Sequence, residues 1–272
     1  MVPELPLEVV ERIIEDVVEY SNYFLIDKFS SIKACALVCR SFLPLCRKLI
    51  FASVTLNAPQ PSPTSDDLNH LLSNSPHLAV YIRRLNYRVS EQEFAKRRFL
   101  WLLPMFKKLV ELQKLGISYS HSSRLDWMSS SVRKVLLPLL HFPTLTSISL
   151  SSIQNFPLAD FAGCVNLKKL KIYSLKCSYG VGDFLEALPP TPAMLEQLTI
   201  SCGDVITVQR LCNTRRLDGK PIIDFSSLKE ITSTARLHSM TELFGMCRNL
   251  HKIDLTCMSL PHDEPHLISL SI

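Results

Sequence analysis

Residues 167–172 read LKKLKI, which places apolar side chains at the first, fourth and sixth positions. The last two of these positions are separated by one residue, so they share one face of a β-strand. The spacing recurs along the chain, and its copies are Ile82/Leu85/Tyr87, Leu112/Leu115/Ile117, Leu145/Ile148/Leu150, Leu167/Leu170/Ile172, Leu195/Leu198/Ile200, Leu228/Ile231, Leu250/Ile253/Leu255 and Leu267/Leu270/Ile272. The pattern predicts a short strand with one buried face at every copy.

Helical patterns separate several of these copies. The candidates are a stripe of Val132, Val135, Leu136 and Leu139, the segment Asp183 to Leu188, and a helix opened by Ser239 and Glu242 at capping-box spacing. A strand, a helix and a return over about 20–30 residues form the unit of a leucine-rich repeat. The sequence therefore predicts an α/β fold.

The repeated unit resembles a degenerate leucine-rich repeat. That resemblance implies a solenoid whose stacked units share one core and form a parallel sheet. The family usually has Asn or Cys three residues after the strand, but this chain has Ser120, Ile153, Leu175, Gly203 and Met258 there. A regular asparagine ladder is thus not expected, and an ordinary α/β domain with similar strands is the alternative. Since the last copy stops at Ile272, we expect a truncated array or a covered terminal edge.

A different pattern fills the stretch from Leu5 to Leu56, LPLEVVERIIEDVVEYSNYFLIDKFSSIKACALVCRSFLPLCRKLIFASVTL. Spacings of three and four residues predict three short helices, with stripes Val10/Ile13/Ile14/Val17/Val18, Ile32/Cys35/Ala36/Cys39 and Phe42/Leu45/Cys46/Leu49/Ile50. Ser31 and Ser41 are the expected N-caps of the second and third helices. A unit of roughly fifty residues rarely buries enough apolar surface alone, so we expect it to dock on another surface.

This stretch resembles an F-box. The family's features stand here as Leu5-Pro6, Glu8, Ile13-Ile14, the run Leu37-Val38-Cys39-Arg40-Ser41-Phe42, Phe51 and Val54-Thr55-Leu56. The link Glu19 to Ser30 is longer than usual, and Phe42 replaces a common tryptophan. A short helix ending in Ser75-Pro76-His77-Leu78 and followed by a strand is also similar to fungal members of the family.

The F-box resemblance implies docking on a Skp-type adaptor of a cullin–RING ubiquitin ligase. The residues that it places at this contact are Leu5, Pro6, Glu8, Val9, Ile13, Ile14, Leu37, Val38, Cys39, Arg40 and Phe42. The alternative is that these apolar stripes are only the core of a larger helical domain. We expect a docking module over residues 1–56, a proline-rich linker over 57–67 and the repeat region over 68–272. The repeat region is a candidate for truncation at its C-terminus.

Composition limits the classes of protein that fit. Nine cysteines form no CxxC pair and are odd in number, which argues against a complete disulfide framework. Glu4, Glu8 and Glu11 argue against a secretory leader, and no apolar run reaches the ~18–20 residues that cross a bilayer. We therefore expect an intracellular protein, cytoplasmic or nuclear, with no membrane partner.

Motifs for catalysis are missing from the sequence. It contains no GxGxxG, Walker loop, HExxH or GxSxG, so it predicts no catalytic residue, cofactor or metal site, and no enzyme. The net charge of +5 is mild, and the basic clusters are dispersed as on solvated surfaces.

Two functions remain after these exclusions. The first is a non-catalytic adaptor that presents its repeat surface to an unknown target protein, with candidate contacts Lys168, Lys171, Tyr173, Gln197, Lys229 and Lys252. The alternative is a basic solenoid scaffold that binds nucleic acid or an acidic partner. Nucleic acid is the less expected of these, because no known nucleic-acid-binding motif is present.

Overall fold

The structure is a computed structural model that describes residue 6 and residues 8–9, 12–14, 28–38, 40–57, 63–89, 99–119, 124–128, 130–177, 191–201, 205–216, 218–234, 240–257 and 266–271. The α-helices are α1 (Lys28–Val38), α2 (Leu43–Phe51), α3 (Ser65–Asn74), α4 (Phe99–Phe106), α5 (Ser130–Leu140), α6 (Val205–Asn213) and α7 (Thr241–Met246). Shorter 3₁₀ helices span Arg40–Phe42, Pro76–Tyr81 and Leu158–Gly163.

The strands are β1 (Ser53–Leu56), β2 (Arg84–Val89), β3 (Lys114–Tyr119), β4 (Leu125–Asp126), β5 (Ser147–Phe156), β6 (Lys169–Cys177), β7 (Ala193–Met194), β8 (Gln197–Ser201), β9 (Ile223–Asp224), β10 (Glu230–Ser233), β11 (Lys252–Cys257) and β12 (His266–Ser271). The main sheet follows chain order, β1-β2-β3-β5-β6-β8-β10-β11-β12, with β4 beside β5. β7 and β9 form a separate parallel pair. The predicted α/β fold with a mostly parallel sheet is confirmed.

One neighbour pair breaks the parallel arrangement. β12 runs antiparallel to β11, with Leu270 opposite Ile253 and Leu267 opposite Thr256. The prediction that Leu267 and Leu270 begin another parallel copy is therefore wrong. An alternating apolar pattern fixes which face is buried but not the direction of the strand, which explains the error.

The repeated register also appears in the backbone hydrogen bonds. The carbonyl of Ala52 accepts N–H groups from Arg83 and Arg84, at 3.2 and 2.9 Å. The same two-donor contact recurs one strand further at each of the carbonyls of Arg83, Gln113, Thr146, Lys168, Glu196 and Lys229. The period read from the sequence is thus a structural period, and it already starts with β1, the strand that ends the predicted docking module.

The apolar positions of the copies form the buried face of this sheet. Leu85, Leu115, Ile148, Leu170, Leu198 and Ile231 occupy matching register positions and are at most 1 % exposed. They belong to a large core that also contains side chains from the helices, such as Leu72 of α3 and Leu136 of α5. One continuous core therefore runs under the sheet from β1 to β10.

The helix predictions have mixed outcomes. The stripe through Leu136 lies in α5 as predicted. Ser31 lies inside α1, and α2 follows a 3₁₀ turn whose last residue, Phe42, is its N-cap, so both predicted serine caps are wrong. α7 begins after Met240 without a side-chain cap, while Ser239, the segment 183–188 and much of the first predicted helix lie outside the described residues.

Candidate interaction surfaces

The N-terminal helices form a small core of their own. Ile14, Ile32, Phe42 and Cys46 are at most 6 % exposed and pack together, apart from the large core. Half-buried side chains of α1 and α2, including Cys35 and Leu49, surround them. Two of the predicted contact residues, Ile14 and Phe42, therefore have their side chains inside this small core.

Other predicted contact residues lie on the surface. Leu37 and Val38, at the end of α1, are 88 % and 71 % exposed, and Val9 and Ile13 are 42 % and 37 % exposed. Pro6, Glu8 and Arg40 are exposed as well, whereas Leu5 and Cys39 lie outside the described residues. We call Val9, Ile13, Leu37 and Val38 the N-terminal apolar residues.

A second candidate surface is the polar face of the sheet. A groove of about 430 Å³ crosses β2, β3, β5, β6 and β8, and its lining residues are Arg84, Asn86, Lys114, Leu115, Gly116, Ser147, Ser149, Lys169, Lys171, Tyr173 and Gln197. We call this the basic groove. Its lining contains four cationic side chains and no carboxylate.

The register explains why these cations lie together. Arg84 is the direct cross-strand neighbour of Lys114, and two strands further the same row continues through Ser147 to Lys169. Like charges on directly opposed strand positions destabilise a sheet. No carboxylate in the described part of the chain forms an ion pair with Arg84, Lys114, Lys169 or Lys171. The groove is therefore a site of uncompensated positive charge.

Small residues keep the middle of the groove open. Gly116, Ser147 and Ser149 separate the cations of β2 and β3 from those of β6. A Cβ atom on Gly116 would lie 2.7 Å from Oδ1 of Asn86, closer than a normal contact. Any larger side chain at residue 116 would displace Asn86 and partly fill the groove.

The predicted target-contact residues fall into two groups. Lys171, Tyr173 and Gln197 line the basic groove. Lys168 and Lys229 instead bind the carboxylate of Glu196, at 3.1 and 3.3 Å, and Lys252 binds Asp254 at 3.1 Å. The hydrogen bond from Lys168, followed by that from Lys229, lowers the pKa of Glu196, and Asp254 raises the pKa of Lys252.

A buried polar cluster around Asp160 was not predicted. Its carboxylate, 3 % exposed, accepts hydrogen bonds from Nε1 of Trp127 at 2.8 Å and from both Nε and a terminal nitrogen of Arg133, at 3.1 and 2.8 Å. Nε2 of His141 donates to the Asp160 carbonyl at 2.9 Å. Because these groups are enclosed and bind one another, the cluster joins α5 to the 3₁₀ helix Leu158–Gly163 rather than forming an open site.

Three of the described cysteines provide little reactive chemistry. Burial is the main cause that raises the pKa of the Cys164 thiol. It also raises the pKa of Cys212 to about 12 and that of Cys247 to about 11. A thiol must lose its proton to act as a nucleophile or metal ligand, so these three stay unreactive at neutral pH. Across the described ranges, no group of three or more His, Cys, Asp or Glu residues could hold a metal ion.

Two comparisons with known proteins found no match. No protein-family model matches the chain, and no curated protein is similar enough to count as a relative. Among the described helices, none is both long and apolar enough to cross a bilayer. The structure shows an α/β protein with a mostly parallel sheet, exposed apolar residues near the N-terminus and a basic groove on the sheet.

Proposed function

We propose that this chain is the non-catalytic substrate-recognition adaptor of a Skp–cullin–F-box type ubiquitin ligase, working in the cytoplasm or nucleus. Its first 56 residues act as an F-box-like module, and its repeats form a leucine-rich-repeat-like solenoid. The observation that carries the proposal is the exposure of Leu37 and Val38, by 88 % and 71 %, within the run that resembles the F-box signature.

Exposure of this degree is unusual within the described part of the chain. The other large apolar side chains that are exposed there, such as Val110 at 56 % and Met128 at 45 %, are less so and are not sequence neighbours. Burying one aliphatic side chain in a partner's groove contributes about 1.5–3 kcal/mol. An apolar groove on a Skp-type adaptor would thus gain most of its affinity from a few such side chains.

The relation between the two regions fits an adaptor. α2 contacts the 3₁₀ helix Pro76–Tyr81, and β1, directly after α2, pairs with β2 of the sheet. A partner bound on α1 would therefore be held at a fixed end of the sheet. Such a connection would hold a bound target at a constant position relative to the ligase.

Binding to a purified Skp-type adaptor tests the proposal directly. The double variant Leu37→Gln, Val38→Gln removes the most exposed apolar surface while keeping residues that a helix tolerates. We expect about tenfold or greater loss of affinity by calorimetry, because two buried aliphatic contacts are lost. The control is Val110→Gln, Val165→Gln, which changes two exposed valines elsewhere and should bind normally.

Two results would refute the adaptor proposal. One is failure of the unaltered chain to bind the Skp-type adaptor at all. The other is equal binding by the Leu37/Val38 variant and by the control, since the contact would then lie elsewhere.

The alternative is a basic solenoid scaffold that binds nucleic acid or an acidic partner without a ligase. The four cations of the basic groove favour it. Recovery of an anionic partner from cells, with no Skp-type adaptor beside it, would support this reading. That recovery should be sensitive to salt, because the contact is electrostatic.

A further inference from the structure

We propose that the basic groove binds an acidic peptide segment of the target protein, in an extended conformation across strands β2 to β6. The inference rests on the proposed function only for calling the partner a target. The groove's chemistry is independent of the ligase, and it specifies carboxylate or phosphate groups carried on a polypeptide.

The positive charge of the basic groove is not balanced by nearby carboxylates. Three other cations of the sheet region do have carboxylate partners: Lys252 binds Asp254, and Lys168 and Lys229 share Glu196. Arg84, Lys114, Lys169 and Lys171 lack any such carboxylate among the described residues. Because adjacent like charges cost stability, their retention in one groove is explained best by an anion that binds there.

A fifth cation supports the same reading. Arg88 follows Asn86 at the next position on the same face of β2. Its Nε atom is buried and has no hydrogen-bond partner within the described ranges. Arg88 does not itself line the groove, so its contribution is to the positive charge of this face of β2.

The spacing of the cations matches a peptide. Lys114 and Lys169 face each other across β5, so their strands are two spacings, ~9.6 Å, apart. Three residues of an extended peptide span about the same distance. Arg84 and Lys114 lie on neighbouring strands, ~4.8 Å apart, and can hold one carboxylate or phosphate between them.

The surroundings favour a peptide over nucleic acid. Tyr173 is the single aromatic residue in the lining, whereas single-stranded nucleic acid is usually bound through several stacked aromatic side chains. The positive surface also ends at β8, where Gln197 donates to Glu230 at 2.9 Å. Such a short basic region suits a few negative charges rather than a long polyanion.

Hydrogen-bonding groups in the groove complement this charge. Ser147 and Ser149 lie between the cations, whereas Asn86 and Gln197 lie on the outer strands of the groove. All four can bind peptide backbone or carboxylate oxygens. The open floor at Gly116 allows a main chain to approach the sheet closely. Together these features accommodate acidic side chains and the backbone that connects them.

The test uses the full-length chain and a fluorescently labelled polyglutamate peptide, with polyglutamine of the same length as the neutral probe. We expect anisotropy to detect the polyglutamate complex only, with affinity that falls as salt is raised. The variant Lys169→Glu, Lys171→Glu should weaken binding by about tenfold or more, because each lost contact is charge-assisted.

A matched control makes the same change of charge outside the groove. Lys107→Glu, Lys134→Glu alters two exposed lysines beside or within helices and should keep full affinity. A Gly116→Val variant tests the shape of the groove, since it narrows the floor without altering charge, and it should also weaken the complex. Circular dichroism confirms that each variant remains folded.

Three outcomes would overturn the inference. They are no binding of polyglutamate by the unaltered chain, equal loss of binding in the groove and control variants, and tighter binding of single-stranded oligonucleotide than of polyglutamate at equal salt. Polyglutamate binding without Skp-adaptor binding would refute the proposed function alone. Adaptor binding without polyglutamate binding would refute the groove alone.

Discussion

The sheet and the N-terminal helices differ in how much of their apolar side chains they expose to solvent. In the sheet, residues at matching positions of successive strands, such as Leu115, Ile148 and Leu170, are at most 1 % exposed. At the end of α1, Leu37 and Val38 keep most of their surface in solvent. Both regions are rich in aliphatic residues, so composition does not explain the difference.

Neighbouring structure explains it. β3, β5, β6 and β8 each have a strand of the same pattern on both sides, and their buried faces are continuous. Within the described part of the chain, no repeated unit extends the small core around Ile32 and Cys46. A stacked repeat thus buries its own apolar residues, whereas a short helical unit leaves some for a partner.

The largest expected effect comes from the polar cluster inside the repeat region. Replacing Asp160 by Ala would leave Arg133 and Trp127 without their shared acceptor in a buried place. We expect the free energy of unfolding to fall by about 3–5 kcal/mol, measured by denaturant titration. Glu111→Ala, at an exposed turn, is the control and should change stability by less than ~0.5 kcal/mol.

The stability of the Asp160→Ala variant would also show how much the polar cluster contributes to the sheet region. If the loss is under about 1 kcal/mol, the cluster adds little beyond a surface ion pair. The stability of the sheet would then rest on its repeated apolar face alone.

One leucine from each region shows how differently the two regions contribute to the free energy of unfolding. Leu170→Ala should lower the free energy of unfolding by about 2–5 kcal/mol, since it opens a cavity between β5 and β8. Leu37→Ala should change it by less than ~0.5 kcal/mol, because 88 % of that residue is already exposed. Thermal or denaturant unfolding of both variants gives the comparison, and similar losses would contradict it.

The buried face of the sheet could be predicted from sequence because its signal is repeated. The copies from Ile82/Leu85/Tyr87 to Leu250/Ile253/Leu255 all contributed buried side chains, and even the poorer copy Leu228/Ile231 is fully buried. The direction of β12 was missed, since alternation carries no information about direction. The start of the sheet at β1 was missed as well, because Val54 and Leu56 belong to no full copy of the pattern.

The groove could be predicted only in part. Lys171, Tyr173 and Gln197 were recognised as outward residues of strands, but Arg84 and Lys114 were not grouped with them. Their proximity depends on the register that aligns β2, β3, β5 and β6 across distant parts of the chain. The Asp160 cluster gave no signal, since Trp127, Arg133 and Asp160 come from separate segments and form no motif.

A smaller effect is expected where the helical and sheet regions meet. Thr64 accepts a hydrogen bond from the Asp67 N–H, and the Asp67 carboxylate accepts one from the Thr64 N–H, at the start of α3. Thr64→Ala should lower the free energy of unfolding by about 1 kcal/mol, and Thr64→Ser should restore it, because serine caps equally well. Equal stability of the Ala and Ser variants would show that the cap contributes nothing here.

The smallest expected effect depends on pH and concerns the row of charges just before the strands. Lys168 and Lys229, from the units on either side, bind Glu196 and lower its pKa below the ordinary value of 4.5. A lowered carboxyl pKa in the folded state stabilises the fold above the unfolded pKa, and this stabilisation disappears as the pH falls through the folded value.

Glu196→Gln removes that pH dependence. Subtracting the stability of the variant from that of the unaltered protein at each pH isolates the contribution of Glu196 from those of the other carboxylates. At neutral pH the variant should be less stable by about 0.5 kcal/mol, because the pair is partly exposed and screened by solvent. Below the lowered pKa of Glu196 the two proteins should be equally stable, since the wild-type carboxyl is then neutral too. A difference that stays constant from neutral to acid pH would mean that Glu196 acts through packing, and that charge does not join these three units of the sheet.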